Sequence, residues 1–383
     1  MHTNSIIELS ETAYQKNVDF LKTTFGKKVI VSSVVKGNAY GHGIAEFTSM
    51  AYNCGINHFS VFDVQEAKAV KEVLEDKVTV MVMGLVNDED MQWVIENNVE
   101  FFVFDKSRLN QAIKISKKSN KKAILHIEVE TGMNHTGFDK KDLNAVISIV
   151  KKEIQHLYLK GLCTHYAGAE SVANYYRVDN QIKKFEEIYE LFCKNDLKPE
   201  MRHSACSAAS IMFPQTRMDL VRIGIMQYGM WPSPEVFVTY LQAKKNKIDP
   251  LQRVISWKSK IMSVKNVQTG DFIGYGTSFM AKRNMKIAVV PIGYCHGYSR
   301  SLSNQGRVLI HGQRCTVVGS VNMNMMTVDV TDVDIAKKED EVVLIGTQKT
   351  LAVSVASFSD FSNQLNYELL TRISTAIPRK IKQ

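Results

Sequence analysis

"VIVSSVVKGNAYGHG", residues 29–43, decides how the rest of the chain is read. Seven strand-prone residues run without a spacer into one lysine, Lys36, and then into three glycines, an asparagine, a tyrosine and a histidine. An apolar run bounded by turn formers suits a strand buried on both faces, and such strands belong to parallel sheets. Lys36 then marks the strand's end.

Outward from this stretch the rhythm repeats. "HFSVFD" (58–63), "VTVMVMG" (78–84), "EFFVFD" (100–105), "KAILHIEVE" (122–130), "HLYLKGLCTH" (156–165), "EMRHSA" (200–205) and "DLVRIG" (219–224) read as further strands. Amphipathic stretches such as "VQEAKAVKEVLED" (64–76) and "NQIKKFEEIYELFCKN" (180–195) separate them. Eight strands alternating with helices predict an α/β fold, a (β/α)8 TIM-type barrel. "WPSPEVFVTYLQAKKNKIDP" (231–250) reads as the exit from it. From about residue 250 strand patterns dominate, in "LQRVISWKSKIMSV" (251–264), "MKIAVVPIGY" (285–294), "RVLIHG" (307–312), "QRCTVVGS" (313–320), "MMTVDV" (325–330) and "DEVVLIG" (340–346), with one late helix over 354–374. The expected division is a barrel over 1–240 followed by a mainly β C-terminal domain over 241–383.

Composition narrows the class. The 383 residues are 45% hydrophobic and 23% charged, as in ordinary globular proteins. The net charge of +9 is spread over lysine doublets with no basic stripe, so a nucleic-acid partner is not expected. Six cysteines without a C-x-x-C pattern predict neither a disulfide framework nor a metal site, and suit the reducing cytoplasm. No run approaches the roughly 20 apolar residues of a membrane span, and no targeting segment is read.

In such a barrel the chemistry collects where the strands end. Lys36 ends the first strand, Glu130 and His135 follow the fifth, His165 ends the sixth, Ser207 follows the seventh, and Arg222 and Gly224 follow the eighth. Singly, a strand-end lysine is a solvated charge, a serine before a helix is an N-cap, and His165 is a core histidine. His42 and His203 keep that structural reading. Together the set points to a phosphorylated carbonyl cofactor. A lysine among Val and Ile is partly desolvated, which lowers its pKa and prepares it for a Schiff base. Ser207 and the backbone N–H groups of Gly224 and Ile225 form an anion cradle.

These residues resemble a family. "VVKGNAYGHG" is similar to the cofactor-lysine motif of alanine racemases, and "TGMNHTGF", "THYAGAE", "HSACSAA", "IGYGTSF", "PIGYCHGYSR" and "GSVNMNMMTVDV" follow in that family's order. The resemblance implies pyridoxal 5'-phosphate (PLP) on Lys36, with Tyr40, Ser207, Gly224 and Ile225 around its phosphate. It places Arg222 at the pyridine nitrogen and His165 beside it. It implies Tyr275 as a second acid/base group lent by the partner subunit of a homodimer, and Met323 as a backbone donor to the substrate carboxylate. The implied product is a D-amino acid of the kind that enters peptidoglycan precursors.

The pattern also departs from the family. His135 stands where Arg is usual, Asn324 and His296 where Asp is usual, and Ile381 where a tyrosine is expected. Glu128 and Glu130, on one face of the fifth strand, are read as groups that keep His135 protonated. The altered periphery suits an amino acid other than alanine or a weak activity. A PLP decarboxylase or aldolase on the same scaffold would need Lys36 but not Tyr275. A PLP carrier would not need the second domain, and a Schiff-base aldolase without PLP would leave Arg222 and the anion cradle unexplained.

Overall fold

The computed structural model describes residues 4–357 and 366–383. Strand β1 (Ser5–Ser10) and a helix (Glu11–Phe25) precede eight strands. These are β2 (Ile30–Val34), β3 (His58–Val61), β4 (Thr79–Val82), β5 (Glu100–Val103), β6 (Ala123–Glu128), β7 (Leu157–Cys163), β8 (Met201–His203) and β9 (Leu220–Ile223). They are the eight strands the sequence predicts, and all run parallel in the order β8-β7-β6-β5-β4-β3-β2-β9. The two ends of that path approach through a single bridge, Cys206 to Arg222, and a 2.9 Å bond from the Arg222 N–H to the Ala205 carbonyl. The result is a nearly closed barrel.

Alternation along each strand separates its two faces. Val31, Phe59, Phe101, Leu125 and Val221 are buried on one side. The other side carries Ser32, His58, Glu100, His126, His203 and Arg222, all buried and polar, where such barrels are ordinarily filled by Val, Ile and Leu.

The second compact unit takes in the residues through Thr12, Gly37–Phe47 and the chain from Arg253 on, while the barrel unit holds Ala13–Lys36 and Thr48–Gln252. Its strands are β1, β10 (Ile255–Lys260), β11 (Ser263–Val267), β12 (Met285–Val290), β13 (Arg307–Ile310), β14 (Gln313–Thr316), β15 (Met326–Asp329), β16 (Glu341–Gln348), β17 (Leu351–Val353) and β18 (Arg379–Lys382). One sheet runs β14-β13-β16-β10-β1-β18, with β17 on β16, and a smaller one runs β11-β12-β15. Trp257, Ile7, Leu9 and Tyr298, all fully buried, fill its core.

Three strands go unread in the sequence: β1, β17 and β18. The run 251–264, expected as one strand, is divided between β10 and β11. The late helix is described over Asn366–Thr371, and residues 358–365 of the expected span lie outside the described residues. All six cysteines are free. Among the described residues no helix is long and apolar enough to cross a membrane, and no group of three or more His, Cys, Asp or Glu could hold a metal ion.

Candidate active site

Lys36 follows β2, whose end is held from behind. The Val34 carbonyl accepts from Gln227 Nε2 at 3.0 Å and from the Tyr228 hydroxyl at 2.9 Å, and the Val35 N–H donates to the Ser60 carbonyl at 2.9 Å. Gln227 is itself saturated: Nε2 also donates to the Ile223 carbonyl, and Oε1 accepts from the Tyr14 and Ser33 hydroxyls. A fully bonded buried amide fixes its neighbours, because each lost bond leaves an unpaired group. The strand therefore delivers Lys36 to a defined place on the rim. Lys36 as a residue is exposed, yet desolvation lowers its pKa, with Arg222 adding to the shift and Glu66 opposing it.

After Lys36 the backbone makes a left-handed turn, with φ of 62° at Gly37, 55° at Asn38, 52° at Ala39 and 52° at Tyr40. Three of these are not glycine, and L-residues resist this conformation. Local bonds hold it: Gly41 N–H to the Gly37 carbonyl, Gly43 N–H to the Asn38 carbonyl, and Ile44 N–H to Asn38 Oδ1. Within the same unit Tyr40 is buried, its ring 5.9 Å from that of Tyr367.

Arg222, 4% exposed, is buried at the barrel rim. Nη1 lies 2.7 Å from His203 Nδ1, and Nη2 donates to the Thr164 and Ser204 carbonyls at 2.7 and 3.1 Å. His165 Nδ1 is 3.5 Å from Nη2. Burial, then Arg222 and Lys36, push the His165 pKa down to about 3, so it is neutral at ordinary pH. Ser207 opens a short helix (Ser207–Met212), and its hydroxyl accepts from the Gly224 N–H at 3.1 Å. Ile225 begins a helical turn, so its N–H has no partner within that turn. On this rim Lys36 and Arg222 both lie near enough to His165 to act on its charge, and Gly224 is bonded to Ser207.

An amine of lowered pKa, a locked guanidinium and a hydroxyl with backbone donors fit PLP: the first for its aldehyde, the second for its ring, the third for its phosphate. His203, read from sequence as structural, turns out to grip Arg222. Its signal was the shared inward register of the polar residues on β5, β6 and β8.

The loop after β6 carries the carboxylates expected to act on His135. The Glu130 carboxylate accepts from the backbone N–H groups of Gly132, Asn134 and, at 3.4 Å, His135. It is thus committed to shaping the loop and meets the His135 amide, while the imidazole is exposed. Glu128 is buried, which raises its pKa against the opposing pull of Thr136, Arg222 and His135.

In the β unit, Tyr275 lies between Gly274 and Gly276 in a loop pinched by the bridge from Phe272 to Met280, and is 78% exposed. Met323 is exposed on a loop joined to 293–296 by bonds from Tyr294 N–H to the Asn322 carbonyl and Cys295 N–H to the Met323 carbonyl. Two of the departures meet there: Asn324 Nδ2 is 3.1 Å and His296 Nδ1 3.4 Å from Cys295 Sγ.

A nearly closed eight-stranded barrel with a rim amine and guanidinium, followed by a β domain, defines a class of PLP-binding enzymes. The chain belongs to the alanine racemase family: residues 9–232 match the alanine racemase N-terminal domain and 254–381 the C-terminal domain. It is 31% identical to an alanine racemase of Leptospira interrogans over 98% of this chain and 95% of that one, and 32% identical to one of Methanococcus maripaludis over 97% of each. Among solved structures it is similar to alanine racemase from Bacillus anthracis with bound L-Ala-P (29% identity, TM-score 0.90, 100% of this chain and 96% of that one). It is also similar to alanine racemase from Bartonella henselae with covalently bound pyridoxal phosphate (26% identity, TM-score 0.85, 100% of both).

Proposed function

We propose that this chain is a PLP-dependent racemase that interconverts L- and D-amino acids, with alanine as default substrate. The observation that carries the reading is the pairing, on one rim, of an amine of lowered pKa, Lys36, with the buried guanidinium of Arg222. PLP, when bound, supplies an electron sink that acidifies the α-hydrogen of an attached amino acid.

The chain's own residues do the rest. Lys36 would hold the cofactor and would take or return a proton at Nζ on one face of the substrate. The partner subunit's Tyr275 does the same at its hydroxyl on the other face, and loss on one side with gain on the other inverts the centre. Arg222 only donates, so it would face the cofactor ring without giving up its proton, which would favour reprotonation over side reactions. Neutral His165 stands beside it. Ser207, Gly224 and Ile225, with Tyr40, hold the phosphate, and His135 and the Met323 N–H receive the substrate carboxylate.

In this reading residues 1–240 form the PLP-binding part, and 241–383 complete the site of the second subunit in a cytoplasmic homodimer. The product is a D-amino acid suited to peptidoglycan precursors. A substrate other than alanine is the second reading. It is supported by His135 in place of a forked cation and by the two lost carboxylates, Asn324 and His296 standing at the thiol of Cys295.

The test is incubation with single-enantiomer amino acids in deuterated water, following optical rotation and α-proton exchange. Exchange with inversion, fastest for alanine, is the expected result. Release of carbon dioxide or an aldehyde would identify a decarboxylase or aldolase instead.

A further inference from the structure

The barrel interior holds an unbroken hydrogen-bonded path whose members beyond Arg222 have no part in the proposed reaction. It starts at Arg222 on β9, whose Nη1 lies 2.7 Å from His203 Nδ1 on β8. His203 Nε2 is 2.8 Å from His126 Nδ1 on β6, and His126 Nε2 is 2.8 Å from Glu100 Oε2 on β5. His58 Nε2 on β3 stands 3.4 Å from the same oxygen without a hydrogen bond, and its Nδ1 is 2.8 Å from Ser32 Oγ on β2. His126 and His203 are fully buried, and Glu100 is 5% exposed.

The donors and acceptors fix the tautomers of both histidines. A guanidinium only donates, so His203 Nδ1 must accept. An imidazole accepting at Nδ1 carries its hydrogen on Nε2, and His203 therefore donates to His126 Nδ1. By the same step His126 donates from Nε2 to Glu100 Oε2, and the lowered pKa of Glu100 makes that acceptor a carboxylate. A cation and an anion are joined through two neutral rings. Burial pushes both rings toward the neutral form. Burial also works against the Glu100 carboxylate, but the bond from His126 and the nearness of His58 outweigh it and hold its pKa below the usual range. Gly161 on β7 leaves room for the path, since a Cβ there would overlap the His126 ring.

We infer that Glu100 and His126 are positioning residues: through His203 they fix the orientation of the Arg222 guanidinium and balance its charge inside the barrel. The link to catalysis rests on the function proposed above; the path itself does not.

Two kinds of measurement test it. In nitrogen-15 spectra of the full chain, with and without PLP, His126 and His203 are expected as neutral rings protonated on Nε2 from about pH 5.5 to about pH 8.5. Glu100→Gln keeps the shape and removes the charge. It is expected to lower kcat about tenfold or more and to move the pH midpoint of the bound cofactor's visible absorption, with Glu100→Asp recovering part of both. Should Glu100→Gln fail to fold, His203→Gln and His203→Leu replace it. The Gln amide can accept from Arg222 and donate to His126, whereas Leu does neither, so only Leu should shift the visible profile. A charged ring, a hydrogen on Nδ1 of either histidine, or wild-type spectra and kcat in both Glu100→Gln and His203→Leu would overturn the inference. A chain that takes up no PLP would overturn the proposed function while the histidine spectra still decide the path.

Discussion

The barrel and the β unit carry their chemistry in opposite ways. Arg222 is buried and bonded to His203, Thr164 and Ser204, and the end of β2 that leads to Lys36 is clamped by Gln227 and Tyr228. Tyr275 and Met323 stand on loops at 78% and 55% exposure. Positions of the first kind serve fold and site together, since removing one leaves buried partners unpaired. Positions of the second kind can change function while the fold stays intact. Stability and activity should therefore part company between the units.

Tyr275→Phe should show the largest separation, a loss of about 10²- to 10⁴-fold in racemisation with unfolding free energy unchanged within about 0.5 kcal/mol. A large stability loss in urea would break the comparison. Arg222→Leu should do the reverse and cost about 3–5 kcal/mol in the same unfolding experiment, because it strands the Glu100 charge in the barrel. Gly161→Ala should cost about 1–3 kcal/mol by driving a methyl group into His126, and a structure with that ring unmoved would refute the crowding.

Acid should act through two histidines that burial shifts, one in each unit. Burial, outweighing backbone bonds at Tyr40 and Ala39 and aided by Arg379, lowers His42 to about 4, and burial with Arg222 and Lys36 lowers His165 to about 3. Both folded values lie below the unfolded value of about 6.5, so the unfolded chain binds more protons. The stability they contribute is complete above about pH 6.5 and is lost as pH falls toward 4 and 3, by up to about 1.4 kcal/mol per pH unit for each. Urea titrations at several pH values should show this slope, and His42→Asn should flatten it by one proton. The smallest effect should be His135→Arg, which restores a forked cation and should lower KM for alanine about tenfold; an unchanged KM would place His135 outside the carboxylate site.

The barrel was legible because parallel strands buried on both faces read as continuous apolar runs, and all eight appear where those runs lie. The rim residues followed from the rule that strand ends converge. What local reading missed depends on distant partners. β1 alternates buried and half-buried residues over six positions, too short a signal without knowledge of β10 and β18. Glu100 reads as the polar start of a strand, and His203 as a lone core histidine. Only the closed barrel brings them into one path with Arg222. The left-handed turn at 37–40 was equally hidden, since Asn38, Ala39 and Tyr40 carry no requirement for positive φ.

The pairing of β1 has a temporal consequence. Its Ser5 hydroxyl bonds to the carbonyl of Lys258, 253 positions later, and Ile7 aligns with Arg379. At roughly 5–20 residues per second of translation, β1 emerges about 13–50 s before its nearer neighbour exists. Its Ile6, Ile7 and Leu9 must wait unpaired through that interval while the barrel strands are made, so this segment is where a chaperone would find the nascent chain longest exposed.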